Sequence, residues 1–155
     1  MRCSALIVDD EPLARRRLRT MLEEKYSPEI EILEEASSGQ QAVERIKDFA
    51  PDVVFLDIQM PDMDAFEVLN NLEKDDVPLI IFTTAYDNFA LRAFEENTVD
   101  YVLKPISPER LEIAVEKLRK YFPEAEDTPP ETGLTCEKLK SLVDANTSYL
   151  RRIQV

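Results

Sequence analysis

The 155-residue chain is 44% hydrophobic and 33% charged, enough to bury one core of ordinary size with a short appendage. It has no histidine and only two glycines, Gly39 and Gly133, which excludes histidine-based triads, histidine–metal sites and glycine-rich phosphate loops. A formal net charge of −13 argues against nucleic acid or an anionic membrane as a partner of this stretch.

The first predicted unit is an apolar strand over 5–8 that runs into Asp9 and Asp10. The helix after it is expected to begin at Pro12, whose missing N–H is one that a first helical turn leaves unpaired. Apolar residues keep helical spacing to Tyr26. The arginines between them predict a solvated basic face that comprises Arg15, Arg16, Arg17 and Arg19.

The second unit is a weaker strand over 29–36, whose imperfect alternation indicates a sheet edge, followed by a helix. Ser38 and Gln41 have the spacing of a capping box, so we expect this helix to begin there. The apolar stripe of the helix is predicted to comprise Ala42, Val43, Ile46 and Phe49.

The third unit contains the apolar strand 53–57, which is bounded by Pro51 and Pro61. A continuous apolar run of this kind predicts a strand that is covered on both faces. The strand ends at Asp57, and a helix is expected over 65–72. Taken alone, Asp57 could equally cap a turn, so its meaning depends on the other strand ends.

The last two units repeat the order of strand and helix. They comprise strand 78–82 with helix 88–96, and strand 101–103 with a helix from 108 to about 121 that Ser107 caps. Strands alternating with helices predict an α/β fold in which helices cover both faces of a parallel sheet.

Residues 123–133 lack hydrophobic periodicity and are rich in acids and prolines, which predicts a linker after a domain over 1–122. Residues 134–155 are too few to bury a core of their own, so we expect an incomplete second domain. Cys3 and Cys136 predict reduced thiols, and no apolar run is long enough to cross a membrane. A soluble, cytoplasmic protein is expected.

Polar side chains follow the predicted strands at their carboxyl ends, which are Asp9 and Asp10, Asp57, Thr84 and Lys104. In open α/β sheets these ends share the edge where ligands bind, so we expect the side chains to meet. Three carboxylates repel one another, and a hard divalent cation such as Mg²⁺ would relieve that repulsion. A metal, a lysine and a hydroxyl around one carboxylate indicate a phosphoryl-acceptor site with Asp57 as nucleophile.

Residues 4–121 resemble the receiver domain of a two-component response regulator. The matching pieces are Asp9-Asp10, Asp57-x-x-Met60-Pro61, Thr84-Ala85 and Tyr101-x-x-Lys104-Pro105. The resemblance implies a flavodoxin-like (βα)5 doubly wound sheet with strand order 2-1-3-4-5. It also implies a signalling domain rather than an enzyme, in which a histidine kinase phosphorylates Asp57.

The resemblance implies a role for each matched residue. Asp10, Asp57 and the backbone carbonyl of Gln59 would bind Mg²⁺ directly, and Asp9 would act through a water. Lys104 would contact the phosphoryl group, next to a cis bond to Pro105.

Thr84 and Tyr101 would form a switch pair, in which the hydroxyl moves toward the phosphate and the ring turns inward. The alternative for Tyr101 is an ordinary half-buried strand tyrosine. Gln59 and Tyr86 are expected to tune dephosphorylation, and Tyr86 could do so by shielding the phosphoaspartate from water.

The segment from 80 to 101 is closest to the LytR/AlgR type, in which a LytTR DNA-binding domain follows the receiver. The ending YLRRI at 149–153 resembles the first strand of such a domain. The resemblance thus implies a transcription regulator that binds DNA only through that further domain. Phosphorylation would promote a homodimer through the face formed by 88–121.

Two residues depart from the receiver pattern. Ala65 stands where many receivers have glycine. Alanine is tolerated at this position if its φ is negative. Thr83 stands where a β-branched apolar residue is more usual, and we expect it to pack without a role in the site.

Two alternatives stay open on the sequence. Haloacid-dehalogenase-like phosphohydrolases also use an aspartate nucleophile, but they carry D-x-D, whereas position 59 here is glutamine. A receiver-like interaction module that is never phosphorylated would keep the same fold. The set of Asp57, Thr84 and Lys104 argues against this second alternative.

Overall fold

The computed structural model describes residues 1–85 and 97–122. The strands are β1 (Cys3–Val8), β2 (Ile30–Ala36), β3 (Val53–Asp57), β4 (Leu79–Thr84) and β5 (Thr98–Leu103). The helices are α1 (Pro12–Tyr26), α2 (Gly39–Phe49), α3 (Ala65–Asn70) and α4 (Pro108–Arg119), with a 3-10 turn over Lys74–Asp76. The predicted helix 88–96, linker 123–133 and second-domain segment 134–155 lie outside the described residues.

The strands form one parallel sheet in the order β2-β1-β3-β4-β5. This order confirms the predicted flavodoxin-like fold and the edge position of β2. In register, Val8 lies opposite Leu56, and Asp57 lies opposite Thr83. The carboxyl ends of β1, β3 and β4 therefore reach the same level of the sheet.

Side chains that alternate along the strands build a core on each face of the sheet. One face packs against α1 and α4, through residues that include Ile7, Phe55, Ile81, Leu22 and Leu118. The other face packs against α2 and α3, through residues that include Leu6, Val54, Phe82, Ile46 and Val68. We call these the α1–α4 side and the α2–α3 side. In the described part of the chain, no helix has both the length and the apolar character needed to cross a membrane.

Several predicted details of the elements were wrong. Helix α3 ends at Asn70 rather than at 72, and β5 begins at Thr98, three residues before its predicted start. Phe49 is 43% exposed and does not belong to the buried stripe of α2. Phe49 is the last residue of that helix and directly precedes its C-cap, Ala50.

Only half of the predicted capping box forms at the start of α2. The Ser38 hydroxyl accepts the Gln41 N–H at 3.1 Å, as expected. The Gln41 side chain instead accepts from the Ser37 N–H at 2.9 Å and from the Ser37 hydroxyl at 3.0 Å. The Ser38 hydroxyl caps only the Gln41 N–H. The Gly39 and Gln40 N–H groups therefore need acceptors from elsewhere in the chain.

Ala50, which caps the C-terminus of α2, has a left-handed backbone conformation with φ 46°. We expect Ala50→Gly to raise the free energy of unfolding by about 0.5–1 kcal/mol, because relief of the Cβ strain outweighs the extra freedom of the unfolded glycine. Urea denaturation measures this, with Ala14→Gly inside α1 as a control that should lower stability. A lower stability for Ala50→Gly would contradict the left-handed cap.

Candidate functional site

Four side chains from three strand ends meet at one edge of the sheet. Carboxylate oxygens of Asp9, Asp10 and Asp57 all lie within 4.8 Å of one another. The Lys104 ammonium lies 2.7 Å from Asp9 Oδ2 and 3.3 Å from Asp57 Oδ2, so it bridges the two acids. We call the three acids, Asp9, Asp10 and Asp57, the acidic cluster.

Asp9 and Asp57 are each only 5% exposed, and this burial dominates the electrostatics of the cluster. Burial raises the pKa of the Asp57 carboxyl to about 7, and the charge of Asp9 adds to the effect. The Lys104 ammonium and the Gln59 amide offset it only in part. Burial would lower the pKa of Lys104, but its hydrogen bond to Asp9 and the charge of Asp57 outweigh burial and raise it. The cluster thus keeps an excess of negative charge around one lysine.

The loop after β1 is held in place by Arg15, so the prediction that this arginine lies on a solvated face was wrong. Its guanidinium donates to the backbone oxygen of Asp9 at 2.6 Å and to the Glu35 carboxylate at 3.1 Å. The Asp9 carboxylate in turn accepts the Glu11 N–H at 2.9 Å. A signal was present, because Arg15 continues the helical spacing of the buried residues Leu18, Leu22 and Tyr26.

Lys104 reaches the cluster from the end of β5. Its N–H donates to the Thr84 carbonyl at 2.7 Å, which extends the ladder between β4 and β5 by one bond. The bond from Lys104 to Pro105 is cis. The Glu11 carboxylate, which was not among the predicted site residues, lies 3.8 Å from the Lys104 ammonium, and its side chain is 67% exposed.

The other predicted site residues differ in how far their side chains are buried. Gln59 is exposed, and its N–H lies 3.4 Å from Asp57 Oδ1. Thr84 is 1% exposed and shares the α2–α3 side with Phe82, two positions earlier. Tyr101 is half-buried and packs against the same core. Tyr86 lies outside the described residues.

The two departures from the receiver pattern are accommodated by the fold. Ala65 is fully buried at the first position of α3, and Ala50 is the only non-glycine residue with positive φ in the described ranges. Thr83 is buried opposite Asp57, and its carbonyl accepts the Ile58 N–H at 2.9 Å. Alanine at position 65 therefore imposes no backbone strain.

The donor set of the cluster fits a hard divalent cation. Asp9, Asp10 and Asp57 offer carboxylate oxygens, the ligands that Mg²⁺ prefers in proteins. The excess negative charge around Lys104 is the second condition that a cation site needs. The acidic cluster could therefore bind a metal ion.

Residues 5–116 match the response regulator receiver domain. The chain belongs to this family. The receiver is 44% identical over 117 residues to an uncharacterised response regulatory protein of Vibrio vulnificus CMCP6, covering 76% of this chain and 48% of the relative. It is 46% identical over 115 residues to the transcriptional regulatory protein BtsR of Escherichia coli K12, covering 74% of this chain and 47% of BtsR.

Solved structures agree with this assignment. The response regulatory domain of protein mrkE from Klebsiella pneumoniae is 29% identical, with a TM-score of 0.65 and coverage of 76% of this chain and 95% of that one. A two-component response regulator of the LuxR family from Aurantimonas sp. SI85-9A1 is 26% identical, with a TM-score of 0.66 and coverage of 76% and 85%. The chain itself spans about half the length of the curated relatives it matches.

Proposed function

We propose that this receiver accepts a phosphoryl group on Asp57 from the phosphohistidine of a sensor histidine kinase. The observation that carries the proposal is the Lys104 ammonium, which bridges the buried carboxylates of Asp9 and Asp57 at the sheet edge. An oxygen of Asp57 would form the new P–O bond. The P–N bond of phosphohistidine would break, and the imidazole would leave with the electron pair and take up a proton.

Asp10, Asp57 and the Gln59 backbone oxygen would hold Mg²⁺, with Asp9 acting through a water. When bound, the ion would neutralise charge on the acidic cluster and on the phosphoryl oxygens. Lys104 would supply the second positive charge beside the phosphoryl group and orient it toward Asp57. The burial of Asp57 would keep bulk water away from the reacting atoms.

Phosphorylation would add about 1.5 to 2 negative charges at Asp57 and so change the partners of Lys104 and Thr84. Thr84 and Tyr101 lie on adjacent strands on the α2–α3 side, which suits a coupled movement of hydroxyl and ring. The response would be a homodimer through the 88–121 face. On the described part of that face, Leu103 is 42% exposed and Ile113 is 49% exposed.

A surface beside Lys104 suits the kinase. An apolar cavity of about 380 Å³ lies between α1 and the loop that follows β5, with Leu18, Met21 and Ile106 among its lining residues. Leu13 lies at its rim and is 76% exposed. A donor histidine that reaches Asp57 must place its protein next to this rim, so we propose that kinase helices pack there.

The whole protein would be a cytoplasmic transcription regulator. A relative that is named a transcriptional regulatory protein supports this proposal. We propose that 1–122 is the receiver, 123–133 a linker and 134–155 the start of a LytTR-type DNA-binding domain. DNA would be bound only through that domain, and the receiver would act as a switch rather than as an enzyme.

The test is the intact mass of the protein after incubation with acetyl phosphate, whose P–O bond to the acetyl group would break with release of acetate. We expect a gain of one phosphoryl group that requires Mg²⁺ and is absent from Asp57→Asn. Steady hydrolysis of ordinary phosphate monoesters, which are not donors to a receiver, would indicate a phosphohydrolase instead. A protein that gains no phosphoryl group and also fails to bind beryllofluoride, a stable mimic of the phosphoryl group, would favour the interaction module.

A further inference from the structure

The loop between β3 and α3 is fastened to the N-terminus of α2 by one carboxylate. Asp62 Oδ1 accepts the Gly39 N–H at 2.9 Å, and Asp62 Oδ2 accepts the Gln40 N–H at 2.9 Å. These amides belong to the first turn of α2, where N–H groups have no partner within the helix. The two bonds lower the pKa of the Asp62 carboxyl, which therefore stays charged at the positive end of the helix dipole.

Gly39 makes a close approach of this loop possible. A Cβ at position 39 would collide with the Met63 side chain and lie 3.2 Å from Val68. Met63 therefore lies over the first residue of α2 only because that residue is glycine. The contact adds a steric fit to the hydrogen bonds of the neighbouring Asp62.

The same loop is closed at its other end. The Ala65 N–H donates to the Ile58 carbonyl at 2.8 Å, so the residues between them form a closed turn. Asp64 and Glu67 complete a reciprocal capping box at the start of α3. Gln59 lies inside this turn, and its N–H lies 3.4 Å from the Asp57 carboxylate.

The segment 36–40 connects both loops that carry the cluster. The Asp9 N–H donates to the Ala36 carbonyl at 3.0 Å, which ties the β1 end to the segment. Asp62 ties the β3–α3 loop to the same segment four residues further on. The start of α2 therefore holds the acids after β1 in a defined relation to the loop that carries Gln59.

We propose that Asp62 is a positioning residue, which sets the affinity of the acidic cluster for a divalent cation by docking the Gln59 loop on the start of α2. The inference rests on the proposed Mg²⁺ site of the receiver. A ligand loop that is already ordered pays no ordering entropy when a cation binds, whereas an undocked loop must be ordered at that moment. Residues that support metal ligands typically change affinity by about 10–100-fold when replaced.

The chain offers a matched control on the same helix end. Ser38→Ala removes the acceptor for the Gln41 N–H and so weakens the α2 cap without touching the loop. Asp62→Ala removes acceptors from the same turn and also releases the loop. A purely structural role predicts lower stability for both variants with unchanged cation affinity.

The experiment is a titration of the full chain with Mg²⁺ alone, followed by the rise in melting temperature, which gives the dissociation constant through linkage. We expect Asp62→Ala to weaken Mg²⁺ binding about tenfold, Asp62→Asn to recover part of the loss, and Ser38→Ala to bind as wild type does. Wild-type affinity in Asp62→Ala would overturn the inference and leave the Mg²⁺ site intact. A wild-type protein that does not respond to Mg²⁺ would overturn the proposed site and this inference together.

A second pair of variants keeps the inference testable if Asp62→Ala does not fold. Gly39→Ala should displace Met63 and weaken Mg²⁺ binding while Asp62 keeps its carboxylate. Adding Met63→Ala to that variant removes the collision and should restore most of the affinity. Gly39→Ala with wild-type affinity would show that docking of the loop does not set it.

Discussion

Replacing Asp57 with asparagine is expected to raise the free energy of unfolding of the metal-free receiver by about 2–3 kcal/mol at pH 8. The carboxyl is 5% exposed, and burial together with the charge of Asp9 raises its pKa to about 7. The pKa in the unfolded chain is about 3.9, and each unit of difference corresponds to about 1.4 kcal/mol. The full difference, about 4 kcal/mol, is an upper limit because a buried asparagine must also be desolvated.

The sign of the pH dependence follows from the raised pKa. The stability that Asp57 gives is complete below the unfolded pKa of about 3.9 and is lost as pH rises through the folded pKa of about 7. The free energy of unfolding of Asp57→Asn should therefore exceed that of wild type most at pH 8 and approach it near pH 4. Urea unfolding in a metal chelator measures this, with the exposed Asp48→Asn as a control that should stay within about 0.5 kcal/mol.

Saturating Mg²⁺ should reduce the difference in unfolding free energy between Asp57→Asn and wild type, because the ion would bind the wild-type cluster more tightly than that of the variant. An Asp57→Asn protein that is less stable than wild type in chelator at pH 8 would contradict the repulsion described here. The expected result means that the receiver keeps a destabilising acid for its function. Sites that work on charged substrates often retain such strain.

The acidic cluster could be anticipated because parallel strands bring their carboxyl ends to one edge. Asp9, Asp57 and Lys104 each follow an apolar run, so their meeting needs only the strand order and equal strand lengths. The order in turn follows from alternating units with crossover connections. Local pattern and topology were sufficient for this part of the site.

The supports of the cluster could not be anticipated in the same way. Asp62 caps a helix that begins more than twenty positions earlier, and no local pattern marks such a pairing. Arg15 was assigned to solvent because it lies in a run of arginines, although it shares the buried stripe of α1. The start of β5 was missed because Asp100 interrupts the apolar run, and its burial depends on cations from α4.

Asp100 is another buried acid, and its electrostatic environment is the reverse of that of Asp57. It is 8% exposed, and its carboxylate accepts two hydrogen bonds from Arg110 at 2.8 and 2.9 Å and one from Lys117 at 3.1 Å. Burial raises the pKa of this carboxyl, but the bonds from Arg110, the Tyr101 amide and Lys117 outweigh burial and lower it. Arg110 also donates to the Tyr101 carbonyl at 2.8 Å, so the ion pairs fasten α4 to β5.

We expect Asp100→Asn to lower the free energy of unfolding by about 2–3 kcal/mol at pH 7, because the Arg110 guanidinium loses a charged partner in a half-buried position. The lowered pKa means that this stability is present above the unfolded pKa of about 3.9 and is lost as pH falls through the folded pKa. The deficit of the variant should therefore shrink below pH 4. Urea unfolding at pH 7, 5 and 3.5 measures it.

Glu112→Gln is the matched control, because Glu112 also faces a cation but is 54% exposed and 3.8 Å from Lys25. An exposed pair of this kind should contribute less than about 1 kcal/mol, with little change between these pH values. A deficit in Asp100→Asn no larger than in Glu112→Gln would contradict the buried ion pairs. The Arg110 and Lys117 partners of Asp100 lie outside the acidic cluster, so Asp100→Asn should keep whatever response to Mg²⁺ the wild type has. This result would separate the attachment of α4 from the chemistry proposed at Asp57.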